Sequence, residues 1–402
     1  MNDANNRYKK IFLKKDQEKR ILRGEPWIYK DEIQDSCGGF TPGELVKIYS
    51  RDNEYIASGY VNTATTIAVR VLTRDENQTI DDTFFRQRIR AADNLRKQLY
   101  PDNRYYRVVY SEADQLPGLV IDRYDDYFVV QVTTAGMENF KQNIFAIITQ
   151  LYPGSVIIEK SIGASREKEK LETLNRLITL DTPDRSPEKI IEINELRFKL
   201  HFLESQKTGF FLDQRENYLL LKNISQGKEV LDVFSYAGAW GLHAHLFGAK
   251  NVEFLEVSRR YLDQTQENIS LNGFDSGDFI LTHGDAVPIL KEMSRGDTRK
   301  DIVILDPPAF IKSRSKIKEG LRGYKEINLR AIKMIKPGGF LITCSCSHFF
   351  SRENFLDIID RAAFDARRRV KLLVYKTQPY DHPILLPLYQ SEYLKCALLA
   401  VD

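Results

Sequence analysis

The chain has 402 residues, 42% of them hydrophobic and 29% charged, a net charge of +3, and only four cysteines. This length and composition predict a globular protein of more than one domain and exclude a disordered or fibrous chain. Cys37, Cys344, Cys346 and Cys396 are too few for a disulfide scaffold, and the six histidines lack the paired spacing of a zinc site, so no metal is expected. No apolar run reaches bilayer length, and MNDANNRYKKIF lacks the basic–apolar–small order of a secretory signal, so the expected setting is cytoplasmic, away from membranes.

From Ile11 to about Thr73 the chain alternates short β-like runs, GELVKIYS, YIASGYV and TIAVRVL, with turn pairs such as Asp52–Asn53. EKRILRGEPWIYKDEI precedes them, a helical turn that becomes extended at Pro26. The pattern predicts a small β-barrel over residues 1–78.

A helical run over 81–100 opens a second segment, assigned to residues 79–188. It continues with a strand at 104–111, a hairpin turning at Asp125–Asp126, a helix near 137–151, a strand at 155–161 and a charged helix over 166–174. A further hairpin, IIEINELRFKLHFLE, turns at Asn194–Glu195. These elements predict an α+β arrangement on an antiparallel sheet.

Residues 189–402 form the third predicted domain, and from about Gln206 the rhythm becomes strict β/α alternation. KEVLDVFS, NVEFLEVS, DFILTHGD, DIVILDPP and GFLITCSC are near-continuous Val/Ile/Leu strands separated by helical patterns. Strands of that kind belong to a parallel sheet covered on both faces. VKLLVYK and EYLKCALLAV follow as an antiparallel pair at one edge. The predicted fold class is therefore α/β, with a doubly wound Rossmann-like C-terminal domain.

Ligands of such sheets bind beyond the carboxyl ends of the strands. The first loop, DVFSYAGAWG, has Gly238 and Gly241 but alanine at 237 and 239. It falls one glycine short of a dinucleotide fingerprint, and no P-loop is present. An adenosine cofactor without phosphates needs only one close glycine, which suits S-adenosylmethionine. Glu256, ending the second strand 18 residues past Gly238, is placed for ribose hydroxyls, and Asp285, ending the third, for the adenine amine. Either acid alone reads equally as a solvated strand-end carboxylate. Three features on successive strand ends favour the cofactor.

The fourth strand ends in LDPPAF, where Pro307 and Pro308 restrict the loop carrying Asp306. In the usual winding the fourth and fifth strands are neighbours, about 4.8 Å apart. That adjacency brings the end of TCSC beside Asp306. A thiolate adding to carbon 6 of a pyrimidine makes carbon 5 nucleophilic toward a sulfonium methyl, and a carboxylic acid at N3 stabilises the adduct. Cys344 and Cys346 share a strand face. Cys346, nearer the open end, is the expected nucleophile, and the deeper Cys344 is expected to pack.

QKTGFFLDQREN, DVFSYAGAWG, LDPPAF, RGYKEINLRA and TCSCS together resemble the bacterial large-subunit ribosomal RNA cytosine-5 methyltransferases that carry an N-terminal PUA domain. PWIYKDEI and GELVKIYS resemble the PUA portion, and EADQLPGLVIDRY the middle domain, so the likeness spans the chain. It implies an S-adenosylmethionine-dependent enzyme with large-subunit ribosomal RNA as partner, and it leaves a homodimer open. It implies Cys346 as nucleophile and Asp306 as the acid on the base. It also implies Gln206, Thr208 and Gly209 near the methionine part of the cofactor, with Phe234, Ser235, Gly238, Glu256, Asp285 and Asp306 around the rest. Related cytosine-5 enzymes place a releasing cysteine directly after the Pro of the acid loop. Here Pro308 stands in that position, so product release must differ.

Beyond Phe310, the run IKSRSKIKEGLRGYK contributes Lys312, Arg314, Lys316, Lys318, Arg322 and Lys325. A charge run is usually a solvated face, but one continuing from the acid loop suits RNA phosphates. Phe310 is assigned to the base. Two rivals stay open: a methyltransferase acting on guanine or an exocyclic amine without a covalent step, and an RNA-binding module without activity.

Overall fold

In the computed structural model, residues 8–34, 39–178, 186–311 and 313–402 are described, and the chain divides into two compact units. The first comprises residues 1–189, 200–212 and 380–391, and the second comprises 190–199, 213–379 and 392–402.

Five strands form the N-terminal sheet of the first unit, in the order Lys9–Phe12, Glu44–Tyr49, Tyr55–Val61, Ile67–Thr73, Trp27–Tyr29. A bridge between Leu13 and Ile33, with Lys14 N donating to Glu32 O at 2.8 Å and Gln34 N to Phe12 O at 2.8 Å, joins the two edges into a barrel. Ile11, Ile28, Val46, Ile48, Ala57 and Val69 fill it.

The unit's other sheet runs in the order Leu174–Leu177, Val156–Ser161, Tyr127–Val132, Leu119–Tyr124, Tyr105–Tyr110. It corrects two expectations. The sheet is mixed, because helix Ala135–Leu151 returns the chain so that Val156–Ser161 lies parallel to Tyr127–Val132. The charged run 166–174 holds only the end of a short helix, Ala164–Lys168, before a strand at Leu174–Leu177. Arg166 is the physical cause. Its buried guanidinium donates to Glu172 O, Val132 O and Glu138 Oε2, and Lys170 turns left-handed at φ +59°, wrapping the chain around that charge. The barrel and this sheet share one core through Tyr60. Its ring lies against Gly136, where a Cβ would sit only 2.0 Å away, and its hydroxyl donates to Pro117 O.

The second unit carries the parallel sheet. Its strands are β1 (Glu229–Val233), β2 (Asn251–Glu256), β3 (Phe279–His283), β4 (Lys300–Leu305), β5 (Ile335–Ser345), β6 (Val370–Lys376) and β7 (Lys395–Val401). They lie in the order β3-β2-β1-β4-β5-β7-β6, with only β7 antiparallel to its neighbours. The helices between them are α1 (Ala239–Leu246), α2 (Arg259–Leu271), α3 (Ala286–Met293), α4 (Ile317–Met334) and α5 (Arg352–Ala366). On one face Leu231, Val233, Val303, Leu305 and Leu341 pack with Leu290, Tyr324, Ile327, Phe355 and Ile359 of α3, α4 and α5. Asp232, on the alternate face of β1, accepts from Gly241 N of α1 at 2.9 Å, so α1 covers the opposite side. The strand order reverses between β1 and β4, which is where a doubly wound sheet opens a crevice.

Candidate active site

The loop after β1 is bent by unusual backbone. Phe234 and Tyr236 take φ values of +62° and +50°, and Gly238 follows at +81°. Left-handed non-glycine residues cost about 1–3 kcal/mol each and persist where surroundings enforce them. Three contacts do so here. Phe234 N donates to Leu255 O at 2.9 Å, Asn268 Nδ2 of α2 holds Ala237 O at 3.0 Å, and Tyr236 N donates to Glu256 Oε2 at 3.0 Å. Glu256 Oε1 accepts from Ser258 N at 3.0 Å, so this nearly buried carboxylate is oriented through both oxygens.

A Cβ on Gly238 would lie 2.7 Å from Thr265 Cγ2, so the loop sits directly on α2. Ser235 Oγ is buried without a hydrogen-bond partner among the described residues, an orphan that a polar ligand would satisfy. Asp285 is exposed and caps α3, its Oδ1 accepting from Val287 N at 3.0 Å. A strained loop, an oriented acid and an unsatisfied hydroxyl converge at the β1/β2 ends, and these residues fit S-adenosylmethionine.

Gln206, Thr208 and Gly209 belong to the first unit. Thr208 is buried there with its Oγ1 donating to Asp122, which also receives Nε and Nη2 of Arg107 at 2.7 and 2.8 Å. Gly209, at φ +126°, turns the chain beside Phe202, and Gln206 is exposed.

Leu305 of β4 pairs with Thr343 of β5, so Asp306 leaves the sheet level with Cys344. Asp306 is held by side chains the sequence did not disclose. Gln214 Nε2 and Trp240 Nε1 both donate to its Oδ2, at 2.9 and 3.0 Å. Both donors lie in motifs quoted above, QKTGFFLDQREN and DVFSYAGAWG, which were the available signal.

Cys344 is fully buried opposite Cys396 of β7, and burial drives its thiol well above the ordinary range. Cys346 lies one residue past β5 and is half-buried. Beneath it Ser345 Oγ donates to Tyr324 Oη at 2.8 Å, Tyr324 Oη lies 3.0 Å from Ser347 Oγ, and Ile311 N reaches Ser347 Oγ at 3.3 Å. The hydroxyl network therefore ties the cysteine loop to the loop that follows Asp306. Burial pushes the Tyr324 phenol up to about 12, so it stays protonated.

Phe310 is half-buried, its ring 4.8 Å from that of Tyr324 and 6.2 Å from that of Phe234. Among the basic residues, Lys316 pairs with Glu319 and Lys325 with Asp365, while Arg314, Lys318 and Arg322 are exposed. Lys312 lies outside the described residues. In the N-terminal barrel Arg20 pairs with Glu25 and Glu32, and Lys19 with Asp16. Trp27 Nε1 donates to Glu112 at 2.9 Å. Among the described residues no group of three or more His, Cys, Asp or Glu could hold a metal, and no helix is long and apolar enough to cross a membrane.

A sheet of this order, with its glycine turn after β1 and acid at the end of β2, suits an adenosine cofactor, and residues 183–373 match the family of S-adenosylmethionine-dependent methyltransferases. Residues 11–74 match the PUA-like domain. The ribosomal RNA large subunit methyltransferase I of Aeromonas salmonicida is 36% identical over 387 residues, covering 96% of this chain and 97% of that one. The enzyme of the same name from Aliivibrio fischeri is likewise 36% identical over 387 residues. The chain belongs to the ribosomal RNA large subunit methyltransferase I family. Its fold is that of a solved S-adenosylmethionine-dependent methyltransferase from Streptococcus mutans, with a TM-score of 0.84 at 20% identity, over 98% of this chain and all of the other.

Proposed function

We propose that the protein methylates carbon 5 of a cytosine in large-subunit ribosomal RNA, in the cytoplasm, with Cys346 as nucleophile and Asp306 as the acid on the base. One observation carries this reading: β4 and β5 are adjacent, and their ends present a braced carboxyl and the half-exposed one of two thiols. Membership of the family supplies the RNA substrate.

The Cys346 thiolate forms a bond to carbon 6, and the ring takes up a proton or hydrogen bond at N3 from Asp306. The resulting enamine is electron-rich at carbon 5, which can attack an electrophile. S-adenosylmethionine, when bound, supplies that electrophile as a sulfonium methyl. A base or solvent water takes the carbon-5 proton, the carbon–sulfur bond breaks and the N3 proton returns to Asp306, which restores the aromatic ring and the thiolate. Ser235, Gly238 and Glu256 hold the cofactor, and Asp285 at the end of β3 extends the same rim. The exposed Arg314, Lys318 and Arg322 supply phosphate contacts.

The test uses undermodified large-subunit RNA, S-adenosylmethionine, the unaltered protein and Cys346→Ala, with nucleosides identified by mass spectrometry after digestion. 5-Methylcytidine made only by the unaltered protein supports the reading. Methylguanosine, or equal product from both proteins, overturns it.

A further inference from the structure

We propose that Lys395 is a positioning residue that holds Cys346 as its thiolate. The inference deepens the proposed function and rests on Cys346 being the nucleophile. Lys395 opens β7, directly opposite Ser345 in the antiparallel register with β5, and is therefore the cross-strand neighbour of the residue before Cys346. Its side chain is 3% exposed. The ammonium donates to Ser347 O at 3.0 Å and to Tyr393 O at 2.8 Å, which brackets the cysteine loop from the residue just beyond the thiol.

Both of these acceptors are neutral. A buried ammonium requires an anion or several strong acceptors. Among the described residues no carboxylate forms an ion pair with Lys395. The acidic groups that act on it electrostatically are Glu392 and the Cys346 thiol itself. Nearby, Tyr324 stays protonated, and Tyr393 faces His348 with ring centroids 5.5 Å apart while its hydroxyl donates to Asp213 Oδ2 at 2.6 Å. Glu392 acts on Lys395 without forming an ion pair with it among the described residues, and the thiolate of Cys346 is the second counter-charge at the site.

The electrostatics run in both directions. Burial pushes the Lys395 ammonium down to about 8, while a thiolate beside it favours its charged form. The same interaction favours the thiolate in return, since an opposite charge nearby stabilises an acid's ionised form. The ammonium–thiolate pair is the form in which cysteine attacks carbon.

Alkylation by iodoacetamide reads the thiolate directly and needs neither RNA nor methyl transfer. The rate would be followed against pH in the full chain, with Cys346 resolved from Cys344 by peptide fragmentation. The expected midpoint in the unaltered protein lies below about 8, under the free-thiol value of about 8.5. In Lys395→Met, which keeps the length and loses the charge, the midpoint rises by about one unit or more, slowing alkylation at pH 7 about tenfold. Lys395→Arg restores the low midpoint, which a purely structural cap on two carbonyls would not require.

An unaltered-protein midpoint at or above the free-thiol value overturns the proposal, whether or not Lys395→Met folds. A folded Lys395→Met with an unshifted midpoint overturns it equally. A Cys346→Ala variant that still methylates RNA would instead refute the nucleophile assignment, and the alkylation result would stand apart from it.

Discussion

Trp240 and Asp306 are 66 positions apart in the chain, yet the indole Nε1 donates to the carboxyl Oδ2 at 3.0 Å. Gln214 Nε2 reaches the same oxygen at 2.9 Å from 92 positions away, and its own Oε1 accepts from Asn217 Nδ2 at 2.7 Å, which fixes which end of the amide faces Asp306. The acid is therefore aimed by the whole unit. The stiff Pro307–Pro308 pair alone would restrict its loop but not orient the carboxyl about its own side-chain bonds.

Trp240→Phe removes one donor while keeping most of the edge-to-face contact with Tyr218, whose ring centroid is 4.9 Å away. A typical hydrogen bond contributes about 0.5–1.5 kcal/mol. Single-turnover methylation should therefore slow by about 2- to 10-fold. Gln214→Leu should cost a similar factor. Because both donors serve one oxygen, the double variant should depart from the product of the two single effects. Full activity in Trp240→Phe would mean that Asp306 needs no such aim.

The Val/Ile/Leu runs made the parallel sheet legible, because strands buried on both faces must be apolar throughout. Adjacency of β4 and β5 followed from the same winding rule, and that alone brought Asp306 and Cys346 to one edge. The contacts of Gln214 and Trp240 with Asp306, and of Lys395 with the carbonyls beside Cys346, were not legible. The partners are a distant carboxyl or backbone carbonyls, which leave no spacing in the chain. The helix expected at 166–174 failed for a related reason: its charged pattern suggested a solvated helix face, while Arg166 is buried and organises a turn. Local pattern reports which face is wet only when no long-range polar partner claims the residue.

At Gly238 the backbone and the packing make the same demand. Its φ of +81° disfavours any L side chain, and an added methyl would meet Thr265 Cγ2 at 2.7 Å. Gly238→Ala should cost about 1–2 kcal/mol for the left-handed conformation alone, and more as the loop is pushed off α2. The loop carries Ser235 and receives Glu256, so S-adenosylmethionine affinity by calorimetry should fall at least about tenfold, or about 1.4 kcal/mol. Unchanged affinity would place the cofactor away from this turn.

Not every basic residue beyond Phe310 should matter equally for RNA. Lys316 and Lys325 already face Glu319 and Asp365 at 2.6 and 2.7 Å, while Arg314 and Arg322 are exposed. Each phosphate contact to a single strand contributes about 0.7 to the slope of log affinity against log salt. The double change Arg314→Glu with Arg322→Glu should flatten that slope by about 1.4, measured by fluorescence anisotropy across a salt series. Lys316→Gln should change it much less. An unchanged slope in the double variant would make the run a solvated face and nothing more.

His243 gives the second unit an acid-sensitive point. Its ring is fully buried in α1, with Nδ1–H donating to Ala239 O at 2.6 Å and Nε2 accepting from Asn194 Nδ2 at 3.3 Å. The Asn194 amide also donates to Arg215 O at 2.9 Å, so its nitrogen is the end turned toward the imidazole, and a protonated ring would set donor against donor. Burial pushes the imidazole down to about 4. Between that value and the unfolded value of about 6.5, the unfolded chain binds a proton that the folded chain refuses, so stability falls as pH drops through this window. By pH 4.5 the loss from this one ring is about 2 kcal/mol. Urea unfolding of the unaltered protein and His243→Gln at pH 7 and 4.5 isolates the term, since other titrating groups are common to both. The variant should be the less stable at pH 7 through lost packing, and the gap should narrow by about 2 kcal/mol at pH 4.5. A gap of the same size at both values would show that the ring accepts its proton without leaving the fold.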